Sequence, residues 1–245
     1  MQAAAKIFIL VGMKVRLTEL WEDFLALWYP DLCPACGQEA PAKGEVLCLL
    51  CQYALPQTQF HLQQENPLTE RFWGRIPLVS GAALFHFAKG SKVQRLIHQF
   101  KYHQRRDIGL ALGRYYGRQL STAPAFANID VIVPIPAHPK KEHRRGYNQA
   151  AVWAQGLSEE LNKPVAAEAL RRPDARESQT TKSRLERLAN VSESYALGDC
   201  ARIDGKHLLL VDDVITTGAT LEACALILLT RPGVRISIAT IAIAD

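Results

Sequence analysis

Apolar positions along this chain recur with two periods. Leu17, Leu20, Trp21, Phe24, Leu27 and Trp28 fall at helical spacing and Pro30 closes the run, which predicts an amphipathic helix with a wide aromatic stripe. A Gln-rich, Pro-containing stretch at 52–78 then predicts a connector. Beyond it, strand and helix patterns alternate. Residues 79–87 predict a strand, 91–102 and 107–120 helices, 130–134 a short buried strand, 147–161 an amphipathic helix and 164–170 a weak strand. Residues 206–211 predict a strong strand, 218–229 a nearly all-apolar helix stopped by Pro232 and Gly233, and 236–243 a further strand. Strands apolar on both faces and separated by helices predict an α/β fold, a parallel sheet with helices on both faces whose ligands bind beyond the strand C-termini. Gly109, Gly113 and Gly117 recur every fourth residue on one helix face. Each costs about 1 kcal/mol against Ala, which predicts close approach of that helix to a sheet.

Composition narrows the class. The chain has 245 residues, enough for one substantial core and a small appendage, and its 48% apolar and 22% charged content is that of a soluble fold. A net charge of +5 leans toward phosphate-bearing partners and is too small for a protein that coats DNA constitutively. No apolar run reaches the ~18 residues of a membrane span. The stretch 7–11 is too short for a signal-peptide core, so a cytoplasmic location is expected. The periodic pattern begins just beyond Met13, which makes residues 1–12 an expected extension and Met13 an alternative start.

The six cysteines divide unequally. Cys33, Cys36, Cys48 and Cys51 form C-x2-C-x11-C-x2-C, while Cys200 and Cys224 stand alone. Two CxxC knuckles supply four thiolates at the spacing of a structural Zn²⁺ site, and Gly37 provides the turn that aims the first pair inward. Two disulfides are the competing arrangement, and a reducing compartment disfavours them. A four-Cys zinc site has no open coordination position, so its role is structural. Cys224 lies in an apolar helix as a small hydrophobe.

The densest chemistry lies in residues 208–220, LLLVDDVITTGAT. Four apolar residues end in two carboxylates, and a hydroxyl- and glycine-rich loop then opens a helix. Asp212 and Asp213 suit vicinal ribose hydroxyls, directly or through a divalent cation. Thr216, Thr217, Gly218, Ala219 and Thr220 offer consecutive backbone N–H groups, three hydroxyls and a helix N-terminus, an anion site by geometry and dipole. Gly218 lets the backbone approach a phosphate closely. The competing account is a buried strand, a solvated Asp pair and a Thr cap. Two further segments, both read as loops, are expected to leave the same sheet edge. Residues 134–149 hold three prolines and concentrate Lys140, Lys141, Arg144 and Arg145, a charge suited to a diphosphate leaving group. Residues 171–190 form a long polar stretch with Arg184 and Arg187, which predicts a basic lid.

Residues 211–220 resemble the phosphoribosyl diphosphate (PRPP) motif of type I phosphoribosyltransferases, in which the acidic pair lies along the ribose diol and the loop wraps the 5′-phosphate. Thr216 stands where several base-salvaging members carry an acid, so purine salvage is disfavoured. Pro134-x-Pro, then Arg145-Gly-Tyr-Asn-Gln149, then Gln179-Thr-x4-Arg184-x2-Arg187-x2-Asn190, then the PRPP loop, all behind four cysteines, resemble the ComF family. The resemblance runs from about Leu17 onward, and Lys182 departs from it where relatives often carry an apolar residue. It implies a type I phosphoribosyltransferase-like domain over 79–245, a zinc ribbon over 31–56, a connector over 57–78 and an N-terminal extension and helix over 1–30. It also implies PRPP with Mg²⁺ held through Asp212 and Asp213, and a role in natural competence, meaning import or processing of single-stranded DNA. The chain does not start with Cys, so glutaminase chemistry is not implied.

Two functions of different class follow. In one, a nitrogen nucleophile attacks ribose C1 as diphosphate leaves, in a transferase reaction whose salvage form would take a nucleobase. In the other, the pocket senses PRPP or a nucleotide while the ribbon and basic loops engage single-stranded DNA or a competence helicase. A DNA groove needs aromatic platforms, for which Tyr102 and Tyr147 are the candidates.

Overall fold

Runs of Val, Ile, Leu and Ala that the sequence leaves apolar on both faces become buried strands in the computed structural model, which describes residues 31–173 and 194–244. Contacts group the chain into one unit ending at Tyr53 and a second beginning at Ala54. The first carries the cysteine turns and all but the last residue of the short helix α1 (Leu49–Ala54). The expected helix over 17–28 lies outside the described residues.

The second unit runs α2 (Pro67–Glu70), β1 (Leu78–Phe87), α3 (Lys92–Tyr102), α4 (Arg106–Thr122), β2 (Val131–Pro134), α5 (Pro139–Arg145), α6 (Gln149–Leu161), β3 (Leu170–Arg171), β4 (Ala196–Leu197), β5 (His207–Ile215), α7 (Ala219–Leu228) and β6 (Arg235–Ala244). The order β1-β6-β5-β2 forms a four-stranded sheet in which every neighbouring pair is parallel. Burial of nearly every residue of β6 fits a sheet covered on both faces. Among the described residues no helix is long and apolar enough to cross a membrane.

Three expectations are corrected. Residues 164–170 are not a strand. Val165 makes only an isolated parallel bridge to Ile132, a 3-10 turn spans Ala167–Ala169, and β3 pairs antiparallel with β4 in a separate small sheet. The Ala-Ala-Glu-Ala sequence lacks the branched side chains that favour extended backbone. Residues 134–149 are not loop throughout, because α5 forms inside them. Pro139 sits in its first turn, His138 accepts from the Lys140 N–H at 3.2 Å, and Gly146 closes it at φ 79°. The glycine stripe of α4 faces a helix, not the sheet. A Cβ on Gly113 would lie 2.6 Å from the Trp153 carbonyl of α6, and one on Gly156 would lie 2.4 Å from the Leu110 carbonyl. Only glycine lets the two backbones meet this closely.

Residues 57–78, expected as a connector, fold onto β1. Asn66 caps α2 through the Leu68 and Thr69 N–H groups while Thr69 returns a bond to Asn66, and the Asn66 amide donates to the Gly81 carbonyl at 2.9 Å. Leu68 lies against Gly81, where a Cβ would sit 2.4 Å from its Cδ2. Phe72, just beyond α2, is fully buried. Pro67 and the polar Asn66 read as linker by composition, yet they are also the residue types that begin a helix.

The glycine contact is testable. Gly156→Ala should gain up to about 1 kcal/mol of helix propensity. It should still be destabilised by a net ~1–3 kcal/mol, since the new methyl meets backbone that cannot swing away. Urea denaturation followed by circular dichroism reads the difference, and a stabilised variant would mean that α4 and α6 separate at little cost.

Candidate active site at the C-terminal edge of the sheet

β5 outruns its neighbour. Pro134 pairs with Val211, and the Ile135 N–H donates to the Val211 carbonyl at 2.9 Å. Past that level β5 continues as Asp212 to Ile215, held by β6 through Asp212↔Thr240, Val214↔Ala242 and Ile215↔Ile243. The acidic pair therefore lies inside the strand, beyond the end of β2, where among the described residues the β2-side edge has no parallel neighbour.

Both acids are half-buried. Asp212 accepts from the Asp213 N–H at 2.8 Å, and Asp213 pairs with the Lys101 ammonium of α3 at 2.8 Å. Burial pushes the Asp212 carboxyl up to about 7, and the Asp213 charge adds to it, against that N–H bond and the cations of Lys101 and Arg145. A carboxylate kept partly protonated gains from a cation or hydroxyl donors that complete its shell.

The loop after β5 is held from its carbonyl side. Arg71 donates to the Thr216 and Ala244 carbonyls, and Arg75 reaches the Thr217 carbonyl at 3.4 Å and the Glu222 carboxylate. In a planar trans peptide the N–H points opposite the carbonyl, so the Thr217 and Gly218 N–H groups are turned away from these arginines. Gly218 has φ 80°, and a Cβ there would meet the Phe72 ring at 2.9 Å. Conformation and space both require glycine. Thr216 and Thr217 are exposed, Ala219 and Thr220 half-buried at the start of α7, and Thr217 Oγ1 accepts from the Ala219 N–H at 3.4 Å. The structure thus sets the acidic pair and the loop in one continuous segment along the sheet edge.

Of the basic residues on α5, Lys140, Lys141 and Arg144 are exposed and Arg145 is half-buried. Arg144 and Arg145 approach the exposed Tyr102 ring at 5.8 and 5.4 Å. Tyr147 is corrected as a stacking platform. It is buried, donates its hydroxyl to the Phe100 carbonyl, and has Arg106 over its ring at 5.0 Å. Other side chains of the Arg145–Gln149 motif also make structural contacts. Arg145 donates to Gln149 at 2.7 Å, and Asn148 joins the Ile135 carbonyl at 2.9 Å while capping α6.

Arg184 and Arg187, with Gln179, Lys182 and Asn190, lie outside the described residues. The stretch that carries them joins β3 to β4, and its root stands near the acids. Arg172 donates to the Tyr195 hydroxyl at 3.1 Å, and that hydroxyl is pushed up by burial, with the Asp212 charge adding to it. Sequence reasoning missed Lys101, Arg71, Arg75 and Phe72. No local motif marks them.

In the first unit the four sulfurs of Cys33, Cys36, Cys48 and Cys51 lie within 4.8 Å of one another, and Cys36 and Cys48 are 3.8 Å apart. They converge without pairing as disulfides and can hold a metal ion. The turn closes through Gly37 N–H to the Cys33 carbonyl at 2.7 Å, with Gly37 at φ 69°. Backbone N–H groups of Glu39 and then Gln38 lower the Cys36 thiol to about 6, whereas burial raises Cys48 and Cys51.

Comparison with known proteins agrees with this fold. The phosphoribosyl transferase domain model matches residues 102–245. DNA utilization protein YhgH of Escherichia coli (strain K12) is 31% identical over 214 residues, covering 84% of this chain and 87% of that protein. Competence protein F of Haemophilus influenzae is 30% identical over 131 residues, 52% of this chain and 57% of that one. Competence protein ComFC of Bacillus subtilis is 36% identical over 101 residues, 41% and 39% of the two chains.

The state of Asp212 has a thermodynamic consequence. An acid whose folded pKa stands near 7 against an ordinary 3.8 binds more protons folded than unfolded between those values. Its contribution to stability therefore falls as pH rises from about 4 to 7. Asp212→Asn in metal-free buffer should melt above wild type at pH 8 and close to it at pH 4. Thermal denaturation across that range checks the sign, and a difference independent of pH would remove Asp212 from its buried, protonatable state.

Proposed function

This chain belongs to the phosphoribosyl transferase domain family and, within it, to the ComF-like proteins, and we propose that it binds PRPP with Mg²⁺ at the C-terminal edge of the sheet. The observation that carries this reading is the run of Asp212 and Asp213 past the end of β2 into a loop whose Gly218 opens α7. The carboxylates would take the ribose diol or Mg²⁺, and Thr216 to Thr220 the 5′-phosphate, with N–H groups that the arginines behind the loop leave turned outward. Lys140, Lys141, Arg144 and Arg145 would face the diphosphate, and Arg184 and Arg187 would complete it as a lid. Bound Mg²⁺ supplies charge neutralisation for the diphosphate. The residues of this chain orient ribose C1 and stabilise the departing anion while a nitrogen nucleophile attacks.

Four thiolates as the donor set favour Zn²⁺ over harder cations. A tetrahedral site with Zn–S near 2.3 Å has sulfurs about 3.8 Å apart, in accord with the Cys36–Cys48 separation of 3.8 Å. The names of the relatives, DNA utilization and competence proteins, support a role in handling DNA, and single-stranded DNA and a competence helicase are proposed as the partners, in the cytoplasm. The exposed Tyr102, flanked by Arg144 and Arg145, favours that second activity, since an accessible ring beside cations suits base stacking.

Two measurements test the reading. Asp212→Ala with Asp213→Ala removes charge-assisted acceptors worth about 1.5–3 kcal/mol each, so calorimetry with PRPP and MgCl₂ should show at least a tenfold loss of affinity with circular dichroism unchanged. Equal affinity would make the motif a structural relic, and diphosphate release with a panel of amines, bases and oligonucleotides separates transfer from sensing. Metal analysis of protein purified without chelator should find one zinc per chain, lost in Cys36→Ser. Zinc-free wild type with intact thiols would end the zinc assignment.

A further inference from the structure

We propose that Lys101 is a ligand-exchange residue of the PRPP site, neutralising Asp213 in the free protein and passing to the diphosphate of PRPP when the diol or its cation takes that carboxylate. The inference rests on the PRPP reading of Asp212 and Asp213. Lys101 ends α3, and its ammonium stands 2.8 Å from Asp213 Oδ2, with the two side chains 19% and 14% exposed. Adjacent half-buried carboxylates repel each other, and among the described residues Lys101 is the cation in salt-bridge contact with the pair. Arg145 is engaged with Gln149 and Tyr102.

The pair cannot survive ligand binding unchanged. A divalent cation on Asp213 would stand within a few ångströms of the ammonium, and like charges at that distance exclude each other. Lysine suits such an exchange, being a compact charge on a flexible four-carbon stem. Its displaced ammonium has a direction to go. Lys101 acts electrostatically on the Tyr102 hydroxyl together with Arg145 and Arg144, which approach that ring at 5.4 and 5.8 Å, so it belongs to a group of cations that a highly charged anion would draw together. PRPP carries that anion on ribose C1. Ribose 5-phosphate has the same 5′-phosphate and diol and lacks it.

The two ligands separate the roles of Lys101. In calorimetry on the full-length protein with MgCl₂, Lys101→Met should lose at least tenfold in PRPP affinity. Ribose 5-phosphate should bind as tightly as to wild type, or tighter by about threefold, since Asp213 no longer has to be released. Lys101→Arg should keep PRPP binding within about threefold. Should Lys101→Met fail to fold by circular dichroism, Lys101→Gln keeps a hydrogen bond to Asp213 without the charge and carries the same expectation. Equal losses for both ligands would make the pair purely structural, and unchanged PRPP affinity would remove Lys101 from the site; either overturns the inference while the PRPP reading stands. Wild type that binds neither ligand overturns both.

Discussion

The site depends on a mismatch of strand lengths. β2 ends at Pro134, opposite Val211, while β5 continues to Ile215 with β6 as its one strand neighbour among the described residues. A strand paired on both sides would bury the edges of residues 212–215 in ladder hydrogen bonds. Pairing on one side keeps them straight and leaves the other side clear, so two carboxylates project at the end of a rigid element and not on a mobile loop. Everything else at this edge answers that placement: Lys101 compensates one acid, burial keeps the other partly protonated near pH 7, and the loop beyond is held by arginines from the opposite side.

Close backbone contacts lie behind this edge. α4 and α6 meet at Gly113 and Gly156, where a single methyl would strike a carbonyl oxygen. α6 in turn starts at Asn148, whose amide is bonded to the Ile135 carbonyl just after β2. The segment from β2 to α6 is thus pinned at both ends, and α5, between them, presents its cations from a fixed base. The Arg145–Gln149 motif serves mostly to make that base: Tyr147 anchors to the Phe100 carbonyl and Gly146 reverses the chain.

An acid pair with opposed environments costs stability and offers binding. Asp212 is destabilised as an anion by burial, so the free protein is less stable at neutral pH than an amide there would make it. A ligand that supplies hydroxyl donors or a cation relieves that penalty. Asp213 is already compensated by Lys101, so occupation of the site must redistribute one positive charge. The same logic holds at the cysteine cluster, where backbone N–H groups stabilise one thiolate while burial opposes charge on Cys48 and Cys51 until a cation joins them.

Local pattern determined a great deal by itself. Both-face apolarity marked the strands of the parallel sheet, CxxC spacing marked four sulfurs that converge within 4.8 Å, and the carboxylate-to-glycine order of residues 212–218 marked the segment at the sheet edge. These signals are legible because each depends on neighbours within a few residues. Tertiary structure decided the rest. Nothing local says that β5 runs four residues past β2, that Leu68 and Phe72 of an apparent linker pack against Gly81 and Gly218, or that a glycine stripe meets another helix. Nor does the sequence join Lys101 to Asp213 or Arg71 to Thr216, pairs more than a hundred residues apart. Tyr147 makes the point most sharply: as a type it is a stacking platform, and only the fold, by burying its ring beneath Arg106, makes it an anchor. Residue type and spacing carry the chemistry a segment can perform. Which partner completes it depends on chain elements that meet only once the sheet has formed.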